Sequence, residues 1–161
     1  MSKIAIFVDV QNIYYTTKQS FGRSFDYRKF WTLFNDHEIV LANAYAIASS
    51  DDGQRRFQDA LRAIGFTVKL KPYIQRADGS AKGDWDVGIT LDVIDAAAGV
   101  ESKVDEIVLL SGDGDFSMLL DKVRDHHALR TQVYGVQSLT AKSLIDSTDK
   151  FVPIDTDLLM L

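Results

Sequence analysis

Two stretches of this chain are apolar at nearly every position: Ile4-Ala5-Ile6-Phe7-Val8 and Ile107-Val108-Leu109-Leu110. A strand with one wet face alternates apolar and polar residues. A strand that does not alternate is covered on both faces, as in a parallel sheet between helical layers. Residues 39–47 (IVLANAYAI) and 131–136 (TQVYGV) read as further strands, and 66–71 (FTVKLK), ahead of Pro72, as one nearer a sheet edge. Between them the apolar spacing turns helical. Phe30, Trp31 and Phe34 fall in phase, and so do Phe57, Leu61 and Ile64 behind Asp51-Asp52-Gly53, with Gly65 as a C-cap. Val87, Leu91 and Ile94 mark one face of a helix from about Asp84 to Ala98, Phe116 to Val123 marks another, and Thr140 to Ile145 a short one. Residues 74–83 read as a polar loop, and Phe151–Ile154 as the end of the domain.

Strands separated by helices need crossover connections. The chain is therefore expected to form an α/β fold: a three-layer α/β/α, Rossmann-like domain with a mainly parallel sheet of about five strands, at 3–8, 39–47, 67–71, 106–111 and 131–136. A length of 161 residues suits one domain spanning 1–161. No apolar run approaches the roughly 20 residues that cross a bilayer. Asp9 and Asn12 interrupt the N-terminal apolar stretch, which lacks a signal-peptide layout, so a cytoplasmic location is expected.

The chain has no cysteine, which removes disulfides, thiolate zinc sites and cysteine nucleophiles. His37, His126 and His127 have no zinc-triad spacing, and the last two suit a helix C-terminus. A net charge of −5 opposes nonspecific attraction to phosphates. Locally the balance inverts: between Lys69 and Lys82 lie Lys69, Lys71, Arg76 and Lys82 against the single acid Asp78.

Each of the two apolar runs leads into an acidic cluster: FVDVQN at residues 7–12 and SGDGDF at 111–116, with KGDWDV at 82–87 between them in sequence. In an open α/β sheet the strand C-termini share one edge, and ligands bind there. Three acidic clusters on that edge repel one another unless a cation holds them, and oxygen donors suit Mg²⁺. Each acid also has an ordinary use. Asp9 can cap a helix, Asp115 can cap the helix that Phe116 opens, and Asp84 and Asp86 sit where a helix dipole favours acids. Asp92 and Asp95 fit a solvated helix face. Capping does not require two aspartates framed by two glycines, so Asp113 is the hardest to explain this way. Ser111, Gly112 and Gly114 are small enough to let backbone approach a ligand. There is no P-loop motif.

FVDVQN, KGDWDV followed by Asp92, SGDGDF and the late LIDSTDKFVPI resemble the NYN domain family in its LabA-like branch, among the PIN-like nucleases. The resemblance runs from about Lys3 to Ile154. It implies a PIN-like fold and a Mg²⁺- or Mn²⁺-dependent ribonuclease, with Asp9, Asp86, Asp113 and Asp115 as metal ligands and Asn12 orienting water or the scissile phosphate. Asp84 falls at a variable position of the motif, and Asp149 matches a late aspartate with a structural role. Lys69, Lys71, Arg76 and Lys82 are then expected to steer an RNA backbone. Tyr14, Tyr15 and Trp85 either stack on unpaired bases or pack in the core. Expected partners are RNA, single-stranded, and no membrane; a homodimer is compatible with the sequence. The alternative is an RNA- or protein-binding PIN-like module with weak or no turnover. A haloacid-dehalogenase-type phosphatase needs an acid where Gln11 stands, and a von Willebrand-type metal site needs DxSxS where the chain has DVQNI.

Overall fold

The computed structural model describes residues 1–71 and 84–161 in full, and 74–75 and 81–82 as backbone. In chain order the elements are β1 (Lys3–Asp9), α1 (Val10–Phe21), α2 (Tyr27–Thr32), β2 (Glu38–Ile47), α3 (Asp52–Ile64), β3 (Thr67–Lys71), β4 (Ile74–Gln75) and β5 (Ala81–Lys82). They continue with α4 (Asp86–Ala97), β6 (Glu106–Leu110), α5 (Ser117–His127), β7 (Arg130–Gly135), α6 (Lys142–Ser147) and β8 (Lys150–Pro153).

Six strands form one sheet in the order β3-β2-β1-β6-β7-β8, and every pairing in it is parallel. The alternation along β1 explains the three layers. Ile4, Ile6 and Val8 face a core shared with α1, α2 and α3, while Ala5 and Phe7 face one shared with α4, α5 and α6. All five are fully buried, and covering both faces is what removes polar residues from this strand.

The structure departs from the sequence expectations in four places. A sixth strand, β8, closes the sheet beside β7; at four residues ending in Pro153 it is short enough to resemble a tail. The expected polar loop instead contains an antiparallel ribbon, Ile74 pairing Lys82 and Gln75 pairing Ala81. Helix α1 lacks an apolar signature in the sequence because its buried stripe is Val10, Ile13 and Thr17. Thr17 reads as polar, yet its hydroxyl is satisfied by the Ile13 carbonyl at 2.7 Å, which permits complete burial. In α4 the buried face is Ile89, Val93 and Ala96, whereas Val87 and Leu91 are 70% and 61% exposed. That helix is apolar around most of its circumference, so periodicity alone offers more than one frame.

Candidate metal centre

The strand order reverses direction at the β1–β6 boundary, with β2 and β3 on one side and β7 and β8 on the other. At such a point the connections leave the C-terminal edge to opposite faces, and a crevice is left between them. Asp9 ends β1 and caps α1, its Oδ1 accepting the Asn12 N–H at 3.5 Å. Its other oxygen accepts the Ser111 hydroxyl at 3.1 Å, and that same hydroxyl oxygen accepts the Asp113 N–H at 3.1 Å. Asn12 Oδ1 accepts the Gly112 N–H at 2.8 Å. Asp113 in turn accepts the Asp115 N–H at 2.9 Å. The loop after β6 is thus bound to the start of α1 by two polar bridges. From the other side α4 contributes Asp86 in its first turn. Asp86, Asp113 and Asp115 each offer an oxygen lying within 4.8 Å of the other two.

Burial raises the Asp9 carboxyl from 3.8 to about 6, against the stabilising N–H of Asn12 and hydroxyl of Ser111, and the charges of Asp113 and Asp84 push the same way as burial. Asp86 is raised further, to about 7, first by burial, then by the charge of Asp113 and a hydrogen bond shared with it, then by Asp84 and Asp9. Among the described residues no lysine or arginine forms an ion pair with Asp9, Asp84, Asp86, Asp113 or Asp115. Carboxylates held this close without a counter-charge fit a hard divalent cation, which accepts oxygen donors and offsets their repulsion.

The NYN domain model matches residues 3–155 of the chain. The chain belongs to the NYN domain family. The low amplitude and bright protein LabA of Synechococcus elongatus is 33% identical over 163 aligned positions, covering 96% of this chain and 84% of that protein. A crystal structure of a protein of unknown function from Vibrio parahaemolyticus superposes with a TM-score of 0.92 at 54% identity, covering 99% of this chain and 96% of the other. The fold is the PIN-like one of a nuclease family, and the acidic group that could hold a metal ion lies at its strand C-termini.

The basic residues of this NYN domain separate. Lys71 reaches the edge: its ammonium donates to the Asp84 carbonyl at 3.0 Å and lies 5.0 Å from the centre of the Trp85 ring. Lys69 is not brought there, because its ammonium pairs with Asp92 at 2.8 Å, further down α4. Asp92 also accepts the Tyr45 hydroxyl at 2.7 Å, so it holds β2 and β3 to α4. Arg76 and the Lys82 side chain lie outside the described residues. Trp85 packs: its indole N–H donates to the Ala46 carbonyl at 2.8 Å and its ring leans on Tyr45, fixing the start of α4 to the end of β2. Tyr14 and Tyr15 stay largely exposed on α1. Asp149 accepts the Thr131 N–H at 2.8 Å and tethers β8 to β7, a structural role.

Two features of the centre were not legible as such. Asp84, at a variable position of the motif, adds charge that raises both Asp9 and Asp86. Ser111 is more than small: its hydroxyl joins Asp9 to the Asp113 backbone. The glycines also have a packing cause. A Cβ on Gly112 would lie 2.8 Å from the Leu139 carbonyl oxygen and 3.2 Å from the Thr140 Cα. On Gly114 it would lie 2.9 Å from the Ala141 Cβ. The segment after β7 therefore requires these glycines, independently of any ligand.

Proposed function

We propose that this NYN domain is a Mg²⁺- or Mn²⁺-dependent ribonuclease that hydrolyses phosphodiester bonds of single-stranded RNA at the Asp9, Asp86, Asp113 and Asp115 cluster. The observation that carries the reading is the approach of Asp86, Asp113 and Asp115 to within 4.8 Å at the sheet's switch point. These three carboxylates would hold the cation, with Asp9 as the adjoining acid. When bound, the cation supplies Lewis acidity that favours ionisation of water and offsets charge on phosphoryl oxygens. Ser111 and the Asn12 N–H keep Asp9 aimed at the cluster. Because the Asn12 side-chain oxygen Oδ1 accepts the Gly112 N–H, its side-chain NH₂ is the end left to donate to a phosphate oxygen. Lys71, whose ammonium donates to the Asp84 carbonyl, would meet the next phosphate along the strand.

The test is cleavage of a labelled single-stranded RNA by purified protein with Mn²⁺ or Mg²⁺. Cutting that EDTA stops and Asp113→Asn abolishes is expected. RNA that binds but remains intact with both metals would defeat the reading and leave a noncatalytic binding module.

A further inference from the structure

On the α1–α3 face of the sheet, a cavity of about 790 Å³ opens between those helices above the end of β2. It shares a wall with the acidic centre. In the first turn of α1, Gln11 lines the cavity while Asn12 bonds to Gly112 beside the acids. Tyr27 lines the cavity too and is 7% exposed. Its hydroxyl makes no hydrogen bond to any described residue. Asp9 lies close enough for its charge to act on that hydroxyl.

The lining decides the chemistry. Ile13, Phe25, Phe57 and Leu61 offer apolar surface. The polar residues Gln11, Asp26, Tyr27, Arg28 and Gln54 interrupt it. A lipid tail would cover the apolar walls and strip water from these polar groups without replacing it. A sugar or an ion would leave the apolar walls wet. A nucleobase has apolar faces and a hydrogen-bonding edge, and it satisfies both. Tyr14 and Tyr15 also line the cavity, 49% and 60% exposed and packed edge to face at 5.5 Å, as rings available for stacking. The volume lies within the range of ligand pockets, about 300–1,000 Å³, with room for a base and its ribose.

We propose that this cavity is a nucleobase-binding site, filled by a nucleotide of the RNA strand next to the one cut at the acids. The placement of the strand rests on the ribonuclease reading; the base chemistry rests on the cavity alone. One measurement is fluorescence anisotropy of labelled hexaribonucleotides of A and of U in EDTA, where nothing is cut. The other is calorimetry with AMP and UMP. Ala60→Trp fills the cavity from an exposed wall position, and Tyr27→Phe removes only the hydroxyl. Hexamer affinity should fall about tenfold in Ala60→Trp, the size of losing one stacked base. It should fall about threefold in Tyr27→Phe, the size of one neutral hydrogen bond. Mn²⁺ affinity, read by electron paramagnetic resonance, should be unchanged in both.

Hexamer and nucleotide affinities that neither variant alters would overturn the proposal, even if the wild type cuts RNA. AMP or UMP binding that Ala60→Trp removes, with hexamer affinity intact, would overturn the strand as occupant and assign the cavity to a free nucleotide. A wild type that cuts no RNA, but whose hexamer affinity Ala60→Trp lowers, would defeat the ribonuclease reading and keep the cavity's assignment.

Discussion

At the edge where the strands begin, three acids of this domain are held by other strands. Asp105 accepts the Lys3 N–H at 2.9 Å, and Glu106 bonds Gln132 and lies 3.4 Å from Arg130. Asp149 clamps Thr131 at the start of the neighbouring pair. At the edge where the same strands end, Asp9, Asp84, Asp86, Asp113 and Asp115 face one another, and Asp9 and Asp86 are raised to about 6 and about 7. The chain is therefore able to satisfy carboxylates at strand ends. Those at the C-terminal edge accept hydrogen bonds but form no ion pair with a described residue, and their mutual repulsion costs stability until a ligand arrives. One edge uses charge to hold the fold; the other gathers it where a metal ion could be held.

The largest test of this contrast sets Asp113 against Glu106. Asp113→Asn should lower RNA cleavage by more than the roughly 10- to 100-fold typical of losing a residue that only orients a metal ligand. Glu106→Gln should leave turnover intact and lower the melting temperature, because it breaks the pairing with Arg130. Equal losses of activity would erase the distinction between the edges. Next in size is the response to metal. Mn²⁺ at about 100 times its Kd should add about 2.7 kcal/mol of stability. Thermal melts should show the gain in the wild type and in Glu106→Gln, and none in Asp113→Asn.

A smaller effect concerns pH without metal. The folded Asp9 and Asp86 keep protons that the unfolded chain, at 3.8, has already released. The contribution of these two groups to stability should thus be full below about pH 4, fall as pH rises through about 6 to 7, and level off above. Asp86→Asn should flatten this slope in EDTA and raise the neutral melting temperature by about 2–4 °C, what roughly 1 kcal/mol gives in a domain of this size. A slope that survives both Asp9→Asn and Asp86→Asn would show that other groups set it. The smallest expected change is at Lys71: Lys71→Ala should weaken RNA binding a few-fold and reduce its salt slope by about one, as for a single phosphate contact.

What could be read beforehand follows from how local each cause is. The central strands announced themselves because burial on both faces leaves a continuous apolar run, as in β1 and β6. The acids were legible because each follows such a run or opens a helix. Their grouping was less so. The tight trio is Asp86, Asp113 and Asp115, with Asp9 adjoining through Ser111, and these distances depend on where α4 docks. Trp85 sets that docking by bonding the end of β2, a contact between positions 39 residues apart that no local pattern encodes. The pairing of Lys69 with Asp92 is hidden for the same reason. Gly112 was noticed correctly as a demand for space, but the neighbour making that demand is the segment near Thr140.

The position of β1 between β2 and β6 has a consequence for synthesis on the ribosome. Asp9 emerges with the first strand, Asp86 much later, and Asp113 only after β6 has been made. Until β6 seats against β1, Ser111 cannot reach Asp9 and the trio does not exist. A nascent chain therefore carries Asp9 through more than a hundred residues of growth before the acidic group that could hold a metal ion can assemble.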